Sequence, residues 1–197
     1  MTRDGEIRIE SAASVPWDDV SRVFGTRGDA SRCWCQYFKL PNRELATATP
    51  EACAGMLREQ VQASAPGPGV VAYLDGEPVG WGAVEPKPAY SRLRRAKVVT
   101  QGSRQEPDDA SVWAVTCFVV RVGYRRRGFA AALLQGAVEQ ARSQGARVIE
   151  GYPVDVTRRP GAPSAELYHG TLTLFAGAGF EVVSRPTDDR AVMELVL

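Results

Sequence analysis

Residues 118–131 read Phe-Val-Val-Arg-Val-Gly-Tyr-Arg-Arg-Arg-Gly-Phe-Ala-Ala, and the fold turns on how this stretch is read. A β-branched run enters a turn that carries Arg125, Arg126, Arg127 and Gly128, and an alanine-rich helix opens at once. The first turn of a helix offers backbone N–H groups with no intrahelical acceptor and the positive end of the helix dipole, which together make a seat for phosphate. Gly128 lets the main chain come close to a ligand. Small Ala130 and Ala131 beside Phe129 leave the approach open, and the basic side chains add charge-assisted contacts. The stretch reads as a pyrophosphate cradle.

The spacing Arg125-x-x-Gly128-x-Ala130 after an apolar strand resembles the acyl-CoA-binding motif of the GNAT superfamily of N-acetyltransferases. There the pattern is Gln or Arg, two residues, Gly, one residue, then Gly or Ala. Other glycine-rich phosphate loops fit less well, because the chain has neither Gly-x-x-x-x-Gly-Lys-Ser/Thr nor Gly-x-Gly-x-x-Gly. The resemblance implies acetyl-CoA as acyl donor and direct attack by a primary amine in a ternary complex. It also implies that the backbone of Phe118, Val119 and Val120 pairs with pantetheine, and that Arg125 to Ala131 face the diphosphate. In that superfamily a bulge parts this strand from the next, with the thioester in the opening. The usual proline after the strand is replaced here by Val122.

Composition narrows the alternatives. The 197 residues suit one domain, 1–197, with a sizeable core. With 24 Lys and Arg against 23 Asp and Glu, the net charge of +1 gives no global field for nucleic acid. The basic residues cluster instead at Arg92, Arg94, Arg95 and Lys97 and at Arg125 to Arg127, which favours a local phosphate partner. Cys33, Cys35, Cys53 and Cys117 form no C-x-x-C pair, and the single histidine, His169, is far off in sequence, so no metal is expected. A charged Met1–Glu10 and the lack of a long apolar run predict a cytoplasmic protein with no membrane partner.

Working outward, Ile7 to Ala12 alternates as a first strand. Thr49-Pro50-Glu51 starts a helix whose apolar face is Cys53, Met56, Leu57 and Val61. Val70 to Leu74 and Pro78 to Val84 flank Asp75-Gly76 as a hairpin. Arg94 to Val99 reads as extended, Thr100 to Asp109 as a mobile surface loop, and Ser111 to Val122 as the longest strand. Apolar positions 133, 134, 137, 138 and 141 predict a helix closed by Gly145. A strand over Arg147 to Val154, a helix over Leu167 to Ala176, and strands over Phe180–Ser184 and Ala191–Leu197 follow. This order predicts an α+β fold with a mixed, mostly antiparallel central sheet flanked by helices. It matches the GNAT order, including the Gly-Phe at 179–180 after a helix.

Amide formation needs a neutral amine and a proton for the departing sulfur. Candidate bases are Glu85, Glu150 and Asp155; the strand Val112 to Val120 holds no carboxylate, so water held by Thr116 is an alternative. Where many superfamily members carry an acidic tyrosine, this chain has Phe175. Seven residues earlier stands Tyr168, where the family often has asparagine, so Tyr168, next to His169, is the candidate acid. Trp34, Tyr37 and Phe38 fall where the superfamily roofs its acceptor site, with core filling or a homodimer contact as the other reading. Phe175 and the acid-poor strand also leave room for a catalytically inactive acyl-CoA-binding sensor.

Overall fold

The computed structural model describes residues 5–63 and 65–197. Of the charged amino-terminal stretch, residues 1–4 lie outside the described residues, as does Ser64. Seven strands form one sheet: β1 Ile7–Ser11, β2 Gly69–Leu74, β3 Glu77–Pro86, β4 Val112–Val120, β5 Val148–Gly151, β6 Glu181–Thr187 and β7 Arg190–Val196. Their spatial order is β1-β2-β3-β4-β5-β7-β6. Every pairing is antiparallel except β4 with β5. The α+β sheet expected from the element order is therefore the one observed.

The helices are α1 Trp17–Phe24, α2 Ala30–Cys33, α3 Asn42–Thr47, α4 Pro50–Ala63, α5 Lys97–Thr100, α6 Phe129–Ser143, α7 Ser164–Leu167 and α8 Leu172–Gly177. The predicted stripe on α6 is its buried face: Leu133, Leu134, Ala137, Val138 and Ala141 pack with Val70, Ala72 and Val79 of the sheet. Gly80 and Gly82 on β3 make room for it, since a Cβ on Gly80 would stand 3.0 Å from Leu133. On the other face Val20, Val23, Phe24, Leu57 and Val61 cover Val71, Tyr73 and Trp81. Asp75 and Gly76, both left-handed at φ 50° and 84°, make the tight turn between β2 and β3.

Three stretches depart from the sequence reading. Arg94 to Val99 is not extended: a 3-10 turn at Leu93–Arg95 runs into α5. Helical turns let Leu93 and Val99 both enter a small core with Tyr90, Ala114 and Tyr152, and that burial overrides the strand preference of Val98 and Val99. Thr100 to Asp109 is anchored rather than loose. The Ser103 hydroxyl donates to the buried Glu150 carboxylate at 2.5 Å, and Lys87 Nζ donates to Ser103 at 2.7 Å. Finally, the helix expected over Leu167 to Ala176 is broken. Gly170 takes φ 79° and Thr171 turns extended to cap α8, accepting from the Leu174 N–H at 3.3 Å. Tyr168 and His169 thus lie in a turn between two short helices.

Candidate active site

The site begins with an extra residue in β4. Ala83 opposes Cys117 and Val84 opposes Val115, so Thr116 is left over as a β-bulge. On its other side β4 pairs with β5 only from Val112 to Val115. Beyond that point the two strands part, and the turn at Tyr168–Leu172 fills the gap. The Phe118 N–H donates to the Tyr168 carbonyl at 2.6 Å, and the Val154 N–H donates to the Gly170 carbonyl at 3.0 Å.

Two cavities flank this turn, and Tyr168 lines both. The first, about 370 Å³, runs from Phe118 and Val120 to the start of α6 and is also lined by Arg125, Arg126, Gly128, Phe129, Ala130 and Ala131. Gly128 has φ 85° and caps the helix, and Arg126 is left-handed at φ 57°. These angles turn the main chain so that the N–H groups of Arg126, Arg127, Gly128, Phe129 and Ala130 have no protein acceptor among the described residues. Five consecutive free donors at a helix mouth, with open space where a Gly128 Cβ would stand, fit a diphosphate. Arg125 Nε donates to the Val120 carbonyl at 3.1 Å. Arg127 turns away, its guanidinium 5.7 Å and 5.9 Å from the Tyr124 and Phe129 rings. The Val119 side chain points into the opposite core.

In a strand the N–H and C=O of one residue face the same edge. Phe118 N–H faces the gap, so the Phe118 C=O and the Val120 N–H face it too, two residues apart on one edge. That edge presents an acceptor and a donor that an amide-bearing chain could pair with.

The second cavity, about 610 Å³, is walled by Cys33, Cys35, Tyr37, Phe38, Thr116, Cys117 and His169 and rimmed by charged residues from the last hairpin. His169 Nδ1 lies 2.9 Å from the Thr116 carbonyl. A carbonyl only accepts, so Nδ1 carries the proton and Nε2 keeps a lone pair. Burial, and secondarily the charge of Arg190, pull the imidazole down to about 4, so it is neutral near pH 7. Burial raises the Tyr168 phenol above its ordinary value. The Cys33 thiol is pushed up to about 12, first by burial and then by Cys35. The Cys117 thiol is raised well above normal, chiefly by its hydrogen bond to Cys35.

Of the roof residues, Tyr37 and Phe38 line this cavity. Trp34 does not: it is buried against Phe24 at 4.7 Å and Trp17 at 5.8 Å. The candidate bases lie elsewhere. Glu85 is ion-paired with Lys39, and Glu150 is fully buried with Lys87 at 2.7 Å. Asp155 is held at about 2, mainly by the Thr157 hydroxyl and then by Arg185 at 2.8 Å. Phe175, at the family's tyrosine position, is core. It lies so close over Gly151 that a Cβ there would collide with it. Sequence reasoning passed over Arg159, Glu166, Asp189 and Arg190. They come from two separate stretches, 159–166 and 189–190, and nothing in their local pattern signals that the fold brings them together.

The sequence model of the acetyltransferase (GNAT) family matches residues 34–170, more than half of the chain. The chain belongs to this family. Its fold is shared with the yncA protein of Salmonella typhimurium, solved with its cofactor acetyl-CoA (TM-score 0.54, 15% identity, 97% of this chain and 94% of that one). It is shared also with a GCN5-related N-acetyltransferase from Kribbella flavida (TM-score 0.54, 18% identity, 97% and 98%). A ribosomal-protein-alanine N-acetyltransferase from Brucella melitensis has the same fold (TM-score 0.54, 18% identity, 98% and 99%). No curated protein matches the sequence. Among the described residues of this GNAT chain, no group of three or more His, Cys, Asp or Glu could hold a metal, and no helix is long and apolar enough to cross a membrane.

Proposed function

We propose that this GNAT protein is an acetyl-CoA-dependent N-acetyltransferase working as one catalytic unit over residues 1–197, and that the acetyl group passes to a primary amine by direct attack. The carrying observation is the run of free N–H groups from Arg126 to Ala130 beside a cavity that shares Tyr168 with a second one.

Acetyl-CoA supplies an activated carbonyl on a thiol leaving group. The N–H groups at the mouth of α6, with Arg125 and Arg126, would hold its diphosphate, and the exposed Phe118 carbonyl would align the pantetheine arm. The Val120 N–H is the donor we assign to the thioester oxygen, as an oxyanion contact. The acceptor nitrogen forms the new C–N bond, the C–S bond breaks, one amine proton passes to water, and the sulfur takes one up. Glu85 and Glu150 receive no part, because each is committed to a lysine. His169 accepts a hydrogen bond through Nε2 from the amine or from a water, and so aims the nitrogen lone pair; with its proton affinity lowered it does not store the proton. Tyr168 is the acid we assign to the sulfur.

Calorimetric titration of acetyl-CoA into wild type and Gly128→Val tests the cradle. A valine at φ 85° is strained and projects into the donor-lined space, so the affinity is expected to fall at least about tenfold. Equal binding by both proteins removes the assignment. Binding by wild type with no CoA release across an amine panel removes the transferase reading.

A further inference from the structure

The rim of the larger cavity carries a cation with no direct ion pair among the described residues. Arg190, the first residue of β7, lines the cavity with Tyr37, Phe38 and His169 and is partly buried there. Its Nη1 donates to the Tyr152 carbonyl at 3.2 Å. Among the described residues no carboxylate lies within ion-pair reach of it. The two acids on the same rim are already taken: Arg159 binds Glu166 at 2.7 Å and Asp189 at 2.6 Å. One guanidinium is in direct contact with both anions, while its neighbour feels the same two carboxylates only at a distance. The remaining acid of the lining, Asp29, is exposed and acts on Tyr168.

We infer that the acceptor is a small amino acid, an amine bearing a carboxylate, and that Arg190 receives that carboxylate. The inference rests on the transferase reading above. Arg190 has no carboxylate in direct contact; Glu166 and Asp189 favour its charge only at a distance, while burial lowers its affinity for its own proton and leaves N–H donors unused. An incoming carboxylate offsets that burial and meets a planar fork of N–H donors. A guanidinium has only donors to offer, so it gives polyamines and other polycationic acceptors no contact. About 610 Å³ is the volume of a small-molecule site. Walls of Tyr37, Phe38, Cys33 and Cys35 suit an apolar side chain rather than a second charge. With the carboxylate at Arg190, the amine lies towards Tyr168 and His169.

Matched acceptors separate this inference from the one beneath it. CoA release is measured with L-phenylalanine against phenethylamine, L-leucine against 3-methylbutylamine, and spermidine. Wild type is expected to favour each amino acid over its decarboxylated partner by about 10- to 100-fold in kcat/KM. Arg190→Gln is expected to bring that ratio near one by raising KM for the acid, and Arg190→Lys to keep part of it. Decarboxylated amines or spermidine used as well as the amino acids by wild type overturn the carboxylate site and leave the transferase standing. A preference that survives in a folded Arg190→Gln protein also overturns it. Acetyl-CoA binding with no CoA release from any acceptor defeats both readings together. The wild-type comparison stands on its own if the variants do not fold.

Discussion

The ring of His169 is tied by Nδ1 to the carbonyl of Thr116, the one residue of β4 that its partner strand skips. A bulge frees a carbonyl from the ladder, and that carbonyl fixes the tautomer of the chain's only histidine. This bond settles which nitrogen can face an acceptor. It also has a consequence for stability.

Because folding lowers His169 from an ordinary 6.5 to about 4, the unfolded chain binds more protons in that interval. Its contribution is complete above about pH 6.5 and is lost as pH falls towards 4. The full swing is at most about 3 kcal/mol, reduced by whatever solvent the ring keeps. Urea midpoints of wild type and His169→Gln, compared at pH 7 and pH 4.5, are expected to show the flatter dependence in the variant. Parallel curves would place the histidine in solvent in the folded state.

Tyr168→Phe keeps the ring in both cavities and removes only the hydroxyl. If the phenol protonates the sulfur, kcat is expected to drop by about 100-fold, with KM for acetyl-CoA moving far less. A variant at the wild-type rate assigns the proton to water.

The Lys87–Glu150 pair is buried on both sides, and the Tyr152 hydroxyl also donates to Glu150, at 2.7 Å. Lys87→Met leaves the buried Glu150 carboxylate with only the neutral Ser103 and Tyr152 hydroxyls and is expected to cost about 3–5 kcal/mol in urea unfolding. The double variant Lys87→Met with Glu150→Leu is expected to recover part of it. A single variant within about 0.5 kcal/mol of wild type would mean that this carboxylate reaches water.

Three thiols, Cys33, Cys35 and Cys117, line the larger cavity. With Cys33 at about 12, roughly one molecule in ten thousand is thiolate at pH 8, against about one in four for a free thiol near 8.5. Iodoacetamide followed by peptide mass spectrometry is expected to label Cys33 far more slowly in folded than in urea-unfolded protein. Fast labelling when folded would contradict the burial that holds the thiol protonated.

Local chemistry made much of this molecule legible. The α6 stripe, the Asp75-Gly76 turn and the arginine-glycine mouth each follow from backbone rules acting within a few residues, and each was readable beforehand. Tyr37 and Phe38 were placed by their resemblance to a known roof, while Trp34, three residues earlier, went to the core. Left-handed angles at Trp34 and Cys35 reverse the chain between them, and a spacing pattern does not carry that information. The break at Gly170 was hidden inside a good helical sequence. Glu150 and Glu85 looked available because the lysines that hold them are distant along the chain. Arg190 was invisible for the converse reason. A lone cation is defined by partners it lacks, and those depend on where other loops settle.

Tyr168 is a party wall. Its side chain bounds the chamber beside the arginine-glycine mouth and the chamber under Tyr37 and Phe38, and its carbonyl is pinned to β4 by the Phe118 N–H. With its main chain so pinned, the ring moves only about its own side-chain bonds, and any such swing resizes both rooms at once. On the proposed function, donor and acceptor would sense each other through this side chain, and the order in which they bind would be a property of one residue.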